Sequence, residues 1–312
     1  MKHNLKITII LLSMFIITQF IGLYVIHQDP FTTDKNINGT IVKVQNPELS
    51  FIQPPEIKGD REYNEVFLGV IFAFIIAVSL LFLLTHFNAE TILKLWFFVV
   101  VIVALFIALF TIFGEKKISA IIALIIVIPL AYIKIYRKEF LIHNITELFV
   151  YPGIAAVFVP ILNIYTVVGL LIIISGYDMW AVWHSGIMQK MAKYQINKLN
   201  VFSGFFVPYA SKKVREQVKK LRKTKAGQKK LKKKKFRVNL AILGGGDVIF
   251  PIITAGVMLK TLGIYSALLV TLGATLGLGY LFFAAEKKKF YPAMPFITAG
   301  IFLGMVLSWL IL

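Results

Sequence analysis

Among the 312 residues there is no cysteine, which excludes disulfides, thiolate chemistry and cysteine-ligated zinc. Acids are scarce, with 15 Asp and Glu against 34 Lys and Arg. Histidine is rarer still: His3, His27, His86, His143 and His184 are scattered, mostly at the borders of apolar runs, where an interfacial role is the default. No His-Glu-x-x-His pair occurs, so the zinc-protease pattern is missing. Ser175-Gly176, Ser185-Gly186 and Ser203-Gly204 each lack the glycine two residues before serine that a Gly-x-Ser-Gly motif carries. What remains calls for no metal and no cofactor.

Apolar residues are abundant: 58% of the chain is hydrophobic and the mean hydropathy is +0.79. That is the composition of a polytopic, all-α membrane protein. Nine runs of about 18–23 residues are long enough to cross roughly 30 Å of hydrocarbon. They lie near 5–26, 66–87, 92–113, 118–135, 145–162, 164–182, 238–258, 262–284 and 291–312. The first is too long for a signal-peptide core and no small-x-small site follows it, so it reads as a retained span. The fifth holds Pro152, Gly153 and Pro160, with Glu147 at its edge, and fits either a kinked span or a re-entrant segment. Residues 1–183 thus carry six spans, with a polar outer loop at 28–63 in which Thr40–Gln45 alternates like a short strand or hairpin. Residues 238–312 carry the last three.

The net charge of +19 raises a nucleic-acid partner, but its distribution argues for a membrane. The insert 184–237 holds 18 Lys and Arg against the single acid Glu216. It opens on an amphipathic piece, Ile187–Tyr194, and becomes a lysine run expected to be partly disordered. Cytoplasmic loops carry excess Lys and Arg. Placing this insert inside puts 26 of the 34 basic residues on one face. The N-terminus is then cytoplasmic and the C-terminus outside. The lysine run reads as a topology signal able to attract anionic lipids, not as a nucleic-acid site. The chain is expected to be integral and multi-pass, in the cell membrane if prokaryotic.

Only five aspartates occur, and Asp29, Asp34 and Asp60 fall in the outer loop. Asp178 and Asp247 lie within the sixth and seventh runs. An ionised Asp at the bilayer centre costs about 2.5–3.5 kcal/mol on insertion scales. Three glycines, Gly244, Gly245 and Gly246, precede Asp247 and add about 1 kcal/mol each to the cost of a helix interior. Either these features pack helices together, or they are used. Asp178 is about five residues from the end of its span and Asp247 about ten from the start of the next. Those depths differ by roughly 7 Å, so the carboxyls can meet. Two carboxyls in one site resist double ionisation and titrate as a unit holding one proton. That is the arrangement by which an aspartic protease activates water with one carboxylate and protonates the scissile carbonyl with the other.

Tyr177-Asp178 in the sixth run, Gly244-Gly245-Gly246-Asp247 in the seventh and Pro292-Ala293-Met294-Pro295 opening the ninth resemble the presenilin and signal peptide peptidase family of intramembrane aspartyl proteases. Its marks are Tyr-Asp, Gly-x-Gly-Asp and Pro-Ala-Leu, in that order, on spans six, seven and nine of nine. The short chain looks most like archaeal or other microbial members. The resemblance implies Asp178 and Asp247 as the catalytic pair, with Tyr177 orienting the first carboxylate. It implies Gly244 and Gly246 for close backbone approach, and Pro292, Ala293 and Met294 shaping the site. Met294 stands where the family has Leu. By itself that triplet also fits a plain helix start, since proline is tolerated in a first helical turn. Substrates would be single-span membrane proteins or signal-peptide remnants. Phe236–Leu240 is expected to offer an extended substrate a strand to pair with.

Three other readings fit part of this pattern. A proton- or cation-coupled transporter also places paired acids on glycine-rich helices, but its inverted repeats are not visible. A prepilin-peptidase-like protease would have a lysine soon after its Gly-x-Gly-Asp, whereas Val248-Ile249-Phe250-Pro251 follows here. A non-catalytic membrane chaperone would keep both acids.

Overall fold

The computed structural model describes residues 5–37, 40–57, 59–87, 89–114, 117–137, 139–184, 203–209, 239–285 and 291–311. The amphipathic piece 187–194 and the lysine run lie outside them. Nine helices in the described residues are long and apolar enough to cross a membrane. They are α1 (Leu5–Gln28), α2 (Asp60–His86), α3 (Glu90–Phe113), α4 (Lys117–Tyr136), α5 (Phe140–Phe158), α6 (Ile164–Trp183), α7 (Gly245–Leu262), α8 (Ile264–Ala284) and α9 (Met294–Ile311). In hydrocarbon a backbone must satisfy its own polar groups, which is why apolar runs of this length become helices.

Helix α1 packs against α5 and α7 at the centre of the bundle. Its Leu11, Phe15, Leu23 and Ile26 are buried, and Gly22 lets Ile252 of α7 close onto it. Helix α5 runs over Pro152 into a 3-10 turn, Val159–Ile161, as one continuous segment, which removes the re-entrant alternative. Asn163 then caps α6 reciprocally with Thr166, satisfying amides that a helix start leaves open. Helices α8 and α9 approach backbone to backbone: a Cβ on Gly273 would strike the carbonyl of Gly300, and one on Gly277 that of Phe296. Small residues permit this contact. Helix α2 is the outlier, burying almost none of its length and meeting the bundle along α3 and α6.

Two short antiparallel ribbons interrupt the helices. β1 (Thr32–Ile37) pairs with β2 (Thr40–Gln45), the hairpin foreseen in the outer loop. β3 (Gly204–Tyr209) pairs with β4 (Asn239–Gly244), in register Gly204↔Gly244 to Tyr209↔Asn239. The second ribbon corrects two expectations. The seventh helix starts at Gly245, not Val238, because residues 239–244 are extended and feed straight into it. Asp247 is therefore the third residue of α7 and not the tenth.

A third correction concerns Glu147. Helix α5 begins at Phe140, five residues earlier than expected, so Glu147 lies two turns inside it and is 1% exposed. Its carboxylate is 2.7 Å from Lys134 Nζ of α4, both side chains being almost fully buried. Removing one member of a buried ion pair leaves an uncompensated charge. Glu147→Ala should therefore cost about 3–5 kcal/mol, whereas Lys134→Met with Glu147→Gln should recover most of it. Thermal unfolding in detergent reads both, and a double variant no more stable than Glu147→Ala would contradict the pairing.

Candidate active site

Asp247 sits where a strand becomes a helix. β4 ends at Gly244, which is extended (φ −63°, ψ 148°), and α7 begins at Gly245. A carboxylate in the first turn of a helix faces the positive end of its dipole. The Asp247 side chain folds back over the strand: a Cβ on Gly244 would lie 3.1 Å from its Oδ2. Downstream, Pro251 of α7 has no N–H to give the carbonyl of Asp247, which leaves that carbonyl without its usual helical partner. Gln19 of α1 donates to the next carbonyl, that of Val248, at 3.1 Å.

The three glycines have different surroundings. A methyl on Gly245 would sit 2.7 Å from Ser203 Oγ and 3.1 Å from Tyr151 Oη. The ladder explains the crowding, because the Gly245 amide donates to the carbonyl of Ser203, 3.3 Å away, continuing the β3–β4 pairing by one step. A methyl on Gly246 would meet only the Phe250 ring, at 3.6 Å, an ordinary contact. The steric demand thus falls on Gly244 and Gly245.

Asp178 approaches from the last turns of α6. It is 6% exposed, and the Met294 amide donates to its Oδ2 at 3.0 Å. Met294 is the first residue of α9, so its amide has no helical acceptor and is free for this bond. The stretch Pro292-Ala293-Met294 is thus both a helix start and a backbone donor to Asp178. Ser175 and Thr298 bond across α6 and α9 at 2.8 Å, one turn further in. Helices α6 and α7 pack against each other, and Asp178 and Asp247 are both buried. Strand β4 runs directly into α7, which puts Asp247 in the first turn of that helix. The Tyr177 ring packs edge-on against Phe74 of α2, 5.8 Å between centroids, and lies near Trp180. The structure brings Asp178 to Met294 and Asp247 to Gly244, while Gly246 is exposed.

Sequence reasoning missed the support behind the ribbon. His143, Asn144, Glu147 and Tyr151 recur on one face of α5, the spacing of a helical stripe. The Tyr151 ring meets Phe205 edge-on at 5.5 Å, and His143 lies 4.7 Å from Phe206. The stripe was visible as polar residues in an apolar run, but β3 was hidden inside the basic insert.

A family model described as signal-peptide peptidase, presenilin aspartyl protease matches residues 40–312. Two solved structures of a presenilin family intramembrane aspartate protease share the fold. The one in space group C222 superposes with a TM-score of 0.60 at 15% identity, over 98% of this chain and 99% of that one. The one in P2 gives 0.58 at 16%, over 97% of each. None of the curated proteins compared with the chain is significantly similar in sequence. The chain is an integral, multi-pass membrane protein, and by its match over residues 40–312 it belongs to the signal-peptide peptidase and presenilin family of aspartyl proteases.

Proposed function

We propose that the protein cuts peptide bonds in membrane-embedded segments, with Asp178 and Asp247 as the catalytic pair. The observation that carries this reading is that two buried carboxylates lie on the packed helices α6 and α7, the second folded over the end of strand β4. One carboxylate takes a proton from water, whose oxygen attacks the scissile carbonyl. The protonated partner donates to the carbonyl oxygen, and the resulting tetrahedral intermediate collapses as the amine leaves with a proton. Met294 positions Asp178 through its amide.

The strand register supports a way of presenting substrate. Gly204 and Phe206 turn their backbone groups away from β4 and towards α5. In an antiparallel ladder, residues opposite each other then also face outward on the far side. By the register these are Gly244 and Ile242, with Leu240 next in the alternation. The open edge of β4 therefore offers Leu240 and Ile242, and ends at the Asp247 carboxylate over Gly244. A transmembrane helix shields its own amides, so it must unwind to be cut. Pairing on this edge compensates the unwound backbone and delivers it to the carboxylates. The described strand is Asn239–Gly244; of the expected stretch Phe236–Leu240, residues 236–238 lie outside the described residues. The substrates are single-span proteins or signal-peptide remnants. The charge bias supports a cytoplasmic N-terminus and insert, the lysines being available to anionic headgroups.

The purified protein should cleave a single-span substrate in lipid. Asp178→Asn and Asp247→Asn should each lower the rate by about a hundredfold to ten-thousandfold, the usual weight of a general acid or base. The pH–rate profile of the parent should be bell-shaped, with limbs belonging to the pair. Product that persists in either variant would break the assignment.

Ile242→Pro removes one outward N–H and spares the bonds to β3. It should reduce kcat/KM by about tenfold, the worth of one or two backbone bonds, without altering the melting temperature. Unchanged turnover would sink the strand-pairing route.

A further inference from the structure

The ribbon β3–β4 has two outer edges, and among the described residues only one is open. On the β3 edge every outward polar group within Gly204–Phe206 is met by a side chain of α5. His143 Nε2 lies 2.9 Å from the Gly204 carbonyl. A carbonyl oxygen only accepts, so that nitrogen carries the hydrogen. Glu147 Oε1 accepts the Gly204 amide at 3.4 Å. The Asn144 carboxamide closes on Phe206 from both sides: Nδ2 donates to its carbonyl at 2.9 Å, and Oδ1 accepts its amide at 3.1 Å. The next outward residue, Pro208, has no N–H to offer. Side chains of one helix thus do what a neighbouring strand would do. Behind them Lys134 holds Glu147 from α4.

We infer that His143, Asn144 and Glu147, backed by Lys134, act as positioning residues. They occupy the β3 edge, so that an extended substrate can add only at β4, and they set the depth of the ribbon against Asp247. This inference rests on the proposal that substrate pairs with β4. The chain of contacts is short. Asn144 holds Phe206, whose register partner is Ile242 on the open edge, and Glu147 holds Gly204, whose partner is Gly244 beneath Asp247. A ribbon released from α5 can slide or tilt, and each residue of slip along a strand moves the presented bond by about 3.3 Å.

The test uses Asn144→Leu, close in shape but unable to bond, beside Asn144→Asp, which keeps the acceptor for the Phe206 amide and loses the donor. Three quantities are read on full-length protein in lipid: amide exchange across 204–209, kcat and KM on a single-span substrate, and the masses of the products. In Asn144→Leu the Gly204 and Phe206 amides should exchange about tenfold faster, the worth of one or two lost backbone bonds. Its kcat should fall by a similar factor with KM within about twofold, because contacts to the β4 edge remain. Products should spread to neighbouring bonds. Asn144→Asp should fall between the parent and the leucine variant on all three. A residue that merely holds the fold would lower the active fraction and leave the product masses unchanged. Parental products with parental exchange in Asn144→Leu would overturn the inference. If the parent cuts nothing, the protease reading fails by itself, and the exchange arm still decides whether α5 fixes the ribbon.

Discussion

A backbone amide in a low-water interior has to find its partner within the protein. Most of the described chain meets that requirement with helices, and the departure beside Asp247 is the passage from β4 into α7. There the backbone is extended for six residues and then turns helical at Gly245. The exposed groups of the extended part are met on one side by β3. Those of β3 are met in turn by His143, Asn144 and Glu147. The sequence of dependence ends at the Lys134–Glu147 ion pair, buried where α4 and α5 meet. An ion pair there is costly unless both charges are used, and here the carboxylate also receives the Gly204 amide.

The two carboxylates are held by different means. Asp247 leans on its own chain, over the Gly244 backbone and at the start of its helix. Asp178 is held by a distant segment, the free amide of Met294 at the start of α9. The close packing of α8 on α9 through Gly273, Gly277, Gly300 and Gly304 steadies that segment. Helix α2 stands apart from this rigid part, touching α6 where Phe74 meets Tyr177 and Phe67 meets Gly169.

Hydropathy over windows of about twenty residues is local information, so nine helices and their order were legible from the chain alone. The chemistry was legible for a related reason: acids are expensive in apolar runs, and two survived at Asp178 and Asp247. The ordered Tyr-Asp, Gly-x-Gly-Asp and Pro-Ala-Met stretches then pointed to one family. Pairings between distant segments were not legible. Gly204–Tyr209 is an apolar hexapeptide inside a strongly basic insert, and only its partner Asn239–Gly244, thirty residues on, makes it a strand. A strand that continues into a helix also looks, by composition, like two further turns of that helix. Glu147 looked like a border residue because its ion partner is on another helix. The demand on Gly245 comes from Ser203 and Tyr151, both remote in sequence. Composition and spacing were sufficient for what each segment is, since burial in lipid or protein acts on each segment separately. The place of Asp247 in the first turn of α7 and the hold of α5 on β3 required three dimensions, because a hydrogen bond or a steric contact belongs to two segments at once.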